Sequence, residues 1–291
     1  SVHGSDECSG RNISSEHILG GKACVPESPE RIITLDPFYT LLMALDLDAS
    51  VIATALSGRD LPTQVTADLD TVGQRTAPNL EAILAQEPDL IIGQAYGQER
   101  LLPRLAGIAP SVLIDTSDWR VYFKTLAKAV GQAEKAEAAL AEFEVDLKAT
   151  ARDLPKNQTV SFLRIVPGGF QVYVAGPNAY APVSLLTELG LERPPYETVT
   201  DGTVLRRPSL EGLLELRGDT LIYTIGGAHH EGDSEALEAE VTSSAIWRVL
   251  PAVQSGRAFR VEPTHWMGFG GIVSAREILA DIRRIYDLPE G

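Results

Sequence analysis

The sequence predicts an α/β protein of two lobes, each built on a mostly parallel sheet, joined by a long bridging helix. Three observations carry this. A segment is duplicated without a gap: Pro78-Asn79-Leu80-Glu81-Ala82-Ile83-Leu84, running on through Asp89-Leu90-Ile91-Ile92, matches Pro208-Ser209-Leu210-Glu211-Gly212-Leu213-Leu214, running on through Asp219-Thr220-Leu221-Ile222. Each copy reads as proline, a helix N-cap, apolar residues at i, i+3 and i+4, a break, and a buried strand. The copies are 130 positions apart (208 minus 78), far beyond the roughly 20–50 residues of solenoid repeats, which suggests one copy per lobe. Short apolar strands alternate with helices, as in parallel sheets covered on both faces. Finally, Val121 to Leu154 is rich in Ala, Glu, Lys and Leu, without proline and with a single glycine, Gly131.

In order along the chain, residues 1–30 form a polar, turn-rich extension. The first lobe, 31–120, opens with a strand at Arg31–Leu35 and a short helix from Tyr39 to Leu47. A strand at Val51–Ala55 leads into a polar loop, and the first repeat supplies helix 80–87 and strand Asp89–Gly93. Leu101–Ala106 and Val112–Asp115 add a helix and a strand. The bridge, 121–154, carries Leu126, Ala129, Val130, Ala133, Ala136, Leu140, Phe143 and Leu147 at helical spacing. It is one helix or two meeting near Gly131. A helix of about 30 residues spans ~45 Å, enough to join two lobes; packing along one lobe is the alternative. The second lobe, 155–291, begins with strands at Thr159–Ile165 and Gln171–Ala175 around a Pro-Gly-Gly turn. A helix at Pro182–Leu189 ends on Gly190, a suitable C′ residue. The second repeat, a helix near Ser234–Glu240, a strand at Ala258–Val261 and a helix at Ile272–Tyr286 complete it.

A chain of 291 residues is long enough for two cores, and 44% hydrophobic with 22% charged residues is a globular composition. No apolar run approaches the ~20 residues of a membrane span, and no signal-like apolar region opens the chain; a cytosolic protein or a trimmed exported one is expected. The net charge of −15 argues against nucleic acid or an anionic membrane as the main partner and suits a partner with basic patches. Cys8 and Cys24 are the only cysteines, with fifteen residues between them. They are either two thiols or a disulfide worth ~3 kcal/mol; a local pair with none elsewhere favours the disulfide and an oxidising compartment.

Enzyme signatures are missing: there is no Walker A loop and no Gly-x-Ser-x-Gly elbow. Gly268-Phe269-Gly270-Gly271 opens a helix but lacks dinucleotide-binding spacing. His3 and His17 are expected in solvent. His229-His230 are adjacent in a loop, unlike the i, i+4 pair of a helical metal site, and are expected at the surface. The sequence offers no obvious set of three or four convergent ligands for a bare metal ion.

With these features in place, the chain resembles the ferric-siderophore-binding proteins of bacterial ABC importers, whose two Rossmann-like lobes are joined by a rigid helix. The marks are Val25–Asp36, Asn79–Ile92, the bridging helix, Phe162-Leu163-Arg164, Leu185–Pro194, Ser209–Leu213 and Leu250–Arg257. The resemblance implies a periplasmic or lipid-anchored, non-catalytic monomer without an intrinsic cofactor. Such a protein would hold an Fe(III)-siderophore between its lobes, deliver it to the membrane permease and close only slightly on binding. Haem or a corrinoid on the same scaffold is the alternative ligand, and a two-lobed metal-chelatase-like enzyme the remaining reading. In the family, one surface glutamate per lobe pairs with arginines of the two permease subunits, and Glu81 and Glu211 match those positions. Leu80 and Leu210 are expected to face the core, which turns the next residue ~100° toward solvent.

Ligand residues are expected at the carboxyl ends of strands, where loops line the crevice of open parallel sheets. In the first lobe these are Phe38, Tyr39, Ser57 to Arg59, Gln74 to Thr76, Tyr96 and Ser117 to Trp119. In the second they are Arg164, Tyr180, Arg206 or Arg207, His229, His230 and Trp266. The iron of a siderophore is already wrapped in oxygen donors, so no direct protein ligand to the metal is expected. The protein instead needs guanidinium forks and aromatic walls. The set singled out is Arg164, Trp266, Arg75, Arg59, Tyr96, Tyr180, Arg206, Trp119 and Tyr39. Arg164 stands out because an apolar strand leaves its charge to be answered by a buried partner or a ligand.

Overall fold

The computed structural model describes residues 7–227 and 233–290. By internal contact the chain divides into two units. One runs to Ala141 and takes in Gly270–Val273; the other holds Glu142–Phe269 and the residues from Ser274 onward.

The first unit begins with a hairpin that the sequence reads only as turns. Strands β1 (Arg11–Ser14) and β2 (Lys22–Val25) pair antiparallel, with Arg11 opposite Val25. A disulfide links Cys8 to Cys24 across the hairpin. A six-stranded sheet follows, made of β3 (Ile32–Thr34), β4 (Val51–Leu56), β5 (Asp70–Gln74), β6 (Ala77–Pro78), β7 (Leu90–Gln94) and β8 (Ser111–Ile114), in the order β6-β5-β4-β3-β7-β8. All pairings are parallel except β5 with β6. Strand β3 is buried at every position and β7 at all but its last, because helices cover both faces and no solvated side remains to demand a polar alternation. Strand β5 falls where the sequence shows a polar loop. Val72 is its buried residue, and pairing with β4 supplies the rest of its order.

Helices α1 (Tyr39–Asp46), α2 (Leu80–Ala85), α3 (Leu102–Ala106) and α4 (Trp119–Val130) complete this unit. Their apolar faces close over a core that includes Ile33, Leu35, Ile83, Ile91 and Leu113. Helix α4 starts where Asp118 accepts the amides of Arg120 and Val121 at 3.0 and 3.2 Å. It stops at Gly131, whose φ of 75° is the left-handed cap that glycine adopts without a Cβ clash. Two helices therefore fill the predicted bridge. The second, α5 (Ala133–Asp153), has 21 residues, and the division between the units falls inside it. Arg11 grips the end of α4: Nη1 donates to the carbonyl of Lys128 at 2.7 Å and Nη2 to that of Ala129 at 2.9 Å. Among the described residues the Lys128 carbonyl otherwise takes only the Gly131 amide at 3.4 Å, and a cation at the last turn also suits the helix dipole.

The second unit has a five-stranded sheet of β9 (Val160–Val166), β10 (Gly169–Tyr173), β11 (Leu205–Arg206), β12 (Thr220–Ile225) and β13 (Ala258–Arg260), in the order β11-β10-β9-β12-β13. Strands β9, β12 and β13 are parallel, whereas β10 and β11 run against them, so this sheet is mixed. Helices α6 (Ala181–Glu188), α7 (Ser234–Thr242), α8 (Ala245–Arg248), α9 (Pro251–Gln254), α10 (Pro263–Trp266) and α11 (Ile272–Ile285) follow the strands. Leu163, Ile165, Val172, Leu221 and Tyr223 join Trp247 in one core. The alternate residues of β9 and β10, Phe162, Arg164, Gln171 and Tyr173, point to the opposite face, as strand geometry requires.

On that opposite face a fully buried ion pair holds the sheet. Arg193 Nη2 lies 2.7 Å from Glu197 Oε1 and also donates to the carbonyl of Tyr173 at 2.7 Å. Glu197 Oε1 in turn accepts the amide of Phe162 at 2.9 Å. The pair knits β9 to β10 through backbone groups, and losing either partner would strand a buried charge.

Candidate functional site

In the first unit the parallel strands share one direction, so the loops after β3, β4, β5, β7 and β8 emerge at one edge. Asp36, just past β3, is buried and organises this edge. Its Oδ1 accepts the amides of Phe38 and Thr40, each at 3.1 Å, and its Oδ2 accepts the Thr40 hydroxyl. With its single proton committed to Asp36, Thr40 Oγ1 must accept from Tyr122, 2.6 Å away. Burial first, and the nearby Asp36 charge second, push the Tyr122 phenol well above its ordinary pKa, so it remains a donor. Tyr39, at the start of α1, meets the Tyr122 ring edge-on, with centroids 5.5 Å apart.

Arg75 follows β5 in a loop fixed from both sides. Its amide donates to Leu56 O at 2.7 Å, and its carbonyl accepts from the Gln98 side chain. The adjacent Gln74 side chain clamps the Ser57–Arg59 loop, accepting the Gly58 amide at 3.2 Å and donating to the Gly58 carbonyl at 2.9 Å. The Arg75 guanidinium has no hydrogen bond or ion pair to the described residues, while its charge reaches the Tyr122 hydroxyl. Arg59 is exposed at the same edge, and Tyr96, in the turn after β7, is 78% exposed. Trp119 departs from expectation: it is buried in the first turn of α4, with the Arg120 guanidinium 4.7 Å from its ring centroid. Apolar packing of the helix start takes the surface that a ligand would need.

In the second unit Arg164 lies opposite Gln171 across the antiparallel β9–β10 pair. Nε donates to the Gly226 carbonyl at 2.6 Å, and Nη1 donates to Gln171 Oε1 at 3.1 Å and to the Tyr173 hydroxyl at 3.2 Å. All three partners are neutral, so among the described residues no carboxylate answers this charge. The backbone leaves room by design of composition: a Cβ at Gly227 would stand 2.4 Å from Arg164 Nη2. Tyr180 lies beside Tyr173, with centroids 5.3 Å apart. Its hydroxyl bonds the backbone of Phe269, and burial pushes its pKa up to about 12. Sequence reasoning picked out Arg164 by its odd position but missed Gln171 and Tyr173, whose role depends on strand register.

Two of the expected ligand residues in this unit are engaged within it. Trp266 is 0% exposed, stacks on Phe162 with centroids 5.3 Å apart, and donates Nε1–H to Asp281 Oδ2 at 2.8 Å. Ring and polar handle are both occupied within the core, which makes it a packing residue. Arg206 lies over the Tyr196 ring, 5.2 Å from its centroid, and donates Nε–H to the Tyr196 carbonyl at 3.0 Å; its neighbour Arg207 is the exposed one. His265, which the sequence analysis did not single out, hydrogen-bonds Ser274 Oγ through Nδ1 at 3.0 Å, and burial lowers its pKa. His3, His229 and His230 lie outside the described residues.

The duplicated segments keep several anchors. Asn79 Oδ1 accepts the amide of Ala82 at 3.1 Å, and Ser209 Oγ that of Gly212 at 3.3 Å. Asp89, ahead of β7, takes the amides of Glu30 and Arg31 at 2.8 and 2.9 Å. Asp219, ahead of β12, takes the amide and hydroxyl of Thr159, both at 3.0 Å. Each aspartate thus pins the strand start beside its own. Glu81 and Glu211 are both exposed. The second copy forms a 3-10 turn, Glu211–Glu215, in place of the predicted α-helix. In both copies the residue at the centre of the core is Ile83 or Leu213, three places after the expected leucine; Leu80 is partly buried and Leu210 is 36% exposed.

Comparison with known proteins adds the following. The model of a family described as periplasmic binding protein matches residues 32–264. A protein of Bacillus subtilis (strain 168) named probable siderophore-binding lipoprotein YfiY is 30% identical over 296 residues, covering 97% of this chain and 90% of that protein. From the same organism, the putative ABC transporter substrate-binding lipoprotein YhfQ is 26% identical over 304 residues, covering 95% of this chain and 91% of its own. The crystal structure of the iron-uptake system-binding protein FeuA from Bacillus subtilis has a TM-score of 0.79 at 22% identity, over 94% of this chain and 100% of that one. The fold is shared.

Proposed function

The chain belongs to the periplasmic binding protein family, and from that premise we propose that it captures a ferric siderophore outside the cytoplasmic membrane and delivers it to the permease of an ABC importer. The family is one of substrate-binding proteins, and the role needs no catalysis. The observation that carries the ligand class is Arg164. A guanidinium preset by three neutral acceptors, with no carboxylate among the described residues, suits the oxygen donors of an iron chelate. Arg75, whose guanidinium has no hydrogen bond or ion pair among the described residues, supplies the same chemistry from the first unit. Tyr39, Tyr96 and Tyr180 offer ring faces for the chelate's carbon frame, and Arg59 lies at the same edge as Arg75. Iron arrives as cargo inside its chelator.

Titration with ferric hydroxamates, ferric catecholates, ferric citrate, haem and cobalamin tests this, read as quenching of the three tryptophans. Tight, saturable quenching by one ferric siderophore class is the expected result. Tighter binding of haem or cobalamin would overturn the ligand assignment and leave the transport role in place.

Glu81 and Glu211 are the proposed contacts with basic side chains of the two permease subunits. Their exposure and matched register support this, and a carboxylate in a helix's first turn gains only about 0.3–1 kcal/mol from the dipole. The double variant Glu81→Gln/Glu211→Gln is expected to lose siderophore uptake while retaining siderophore affinity. Normal uptake would remove the docking role.

A further inference from the structure

We propose that the docking point of the second unit is a composite of Glu211 and an apolar groove beside it, and that this groove receives an apolar side chain adjacent to a basic one on the membrane partner. The proposal rests on the docking role given to Glu81 and Glu211.

The groove has a volume of about 310 Å³ and lies between the β9–β10 turn and helix α7. Leu210, Phe170, Leu237 and Val241 supply apolar walls, and Glu240 is the charged side chain in its lining. Leu210 immediately precedes Glu211. Its matched residue in the first unit, Leu80, packs against the core around Ile83. Leu210 instead lends its side chain to the groove wall, and Leu214, one turn on, is 40% exposed. An exposed leucine in the wall of an open apolar groove, with an acidic side chain in the same lining, has the make-up of an interaction site.

The β9–β10 turn keeps the groove uncovered. A Cβ at Gly168 or Gly169 would meet nothing within 4 Å. Gly168 has a φ of +80°, a reason to be glycine that owes nothing to the groove, but Gly169 has no such backbone. Neither conformation nor crowding calls for a bare residue at 169, yet a side chain there would stand at the groove. Charge selects the occupant. Glu211 and Glu240 are exposed carboxylates in a chain of net charge −15. An apolar side chain carried next to Arg or Lys therefore matches both elements, whereas an acidic or wholly apolar segment matches one at most.

The test measures binding of the fluorescently labelled, siderophore-loaded protein to right-side-out vesicles of its source membrane, from low to high KCl. Leu210→Ser and Gly169→Leu are each expected to weaken binding about tenfold without changing its salt dependence, since what they remove is burial. Glu211→Gln is expected to weaken binding and flatten the salt dependence. Retained siderophore quenching and an unchanged unfolding midpoint certify the fold, and Gly169→Leu, which adds to an open site, guards against Leu210→Ser acting through stability. If both groove variants bind like the parent while Glu81→Gln/Glu211→Gln does not, the groove proposal fails and the docking role stands. If Glu81→Gln/Glu211→Gln binds like the parent, the docking role fails and takes the composite site with it.

Discussion

In the first unit the amide of Ala82 reaches back to Asn79; in the second, the amide of Gly212 reaches back to Ser209. The capping bond, the buried residue at the fourth position and the aspartate that pins a neighbouring strand recur in both segments. The turn they build differs. The second segment coils more tightly there, as a 3-10 turn, and a Cβ at Gly212 would stand 2.7 Å from the Pro208 Cβ, so any other residue would force a shift. The positions that recur answer needs that any such segment meets: an orphan amide, a hole in the core, strand donors lacking partners. Where the surroundings differ, the same residue takes a different place: Leu80 packs against its core, and Leu210 lines a surface groove.

Paired substitutions in the two segments test how far they are alike. Ile83→Ala and Leu213→Ala should each cost about 2–5 kcal/mol in chemical denaturation; a small loss at Leu213 alone would show that the 3-10 turn is not anchored as the helix is. Gly212→Ala should destabilise by about 1–3 kcal/mol through overpacking, whereas Ala82→Gly should cost only about 0.5–1 kcal/mol through backbone entropy; equal losses would undo the argument from Pro208. Asp89→Ala and Asp219→Ala should each lose about 1–2 kcal/mol, because two donors must turn to water; hydrogen exchange should quicken at Arg31 and at Thr159 respectively. Asn79→Ala should cost about 1 kcal/mol as an N-cap, and Ser209→Ala less, given its longer bond and shorter helix.

Much of this architecture was legible because burial imposes pattern. Continuous apolar strands and the helices between them gave both sheets, and the duplicated segment located one copy in each unit. Strand β5 escaped because its order comes from pairing with β4. The β1–β2 hairpin escaped because its sequence carries no alternation. At the candidate site, composition pointed to arginines and aromatics at strand ends, but composition cannot tell a ring that lines a surface from one that fills a core. Trp266 has Phe162 against one face and Asp281 on its indole nitrogen, both distant in sequence. Arg164 was found because a charge in an apolar strand is anomalous; its cradle needed register. Gly227→Ala should push the Arg164 guanidinium from that cradle and weaken ferric-siderophore quenching about tenfold or more, with the fold intact.

The disulfide between Cys8 and Cys24 has a mechanical reading. The bridge spans 16 positions, so tension applied at the two ends of the oxidised chain passes from one sulfur to the other and never extends the segment between them. Reduction would release those residues, adding about 55 Å of contour length at roughly 3.5 Å each. Single-molecule stretching with and without reductant should differ by that increment. In the oxidised chain Arg11 rides on a closed loop that the pull cannot extend, whereas the α4 carbonyls it grips lie beyond Cys24, in the part of the chain that bears the load.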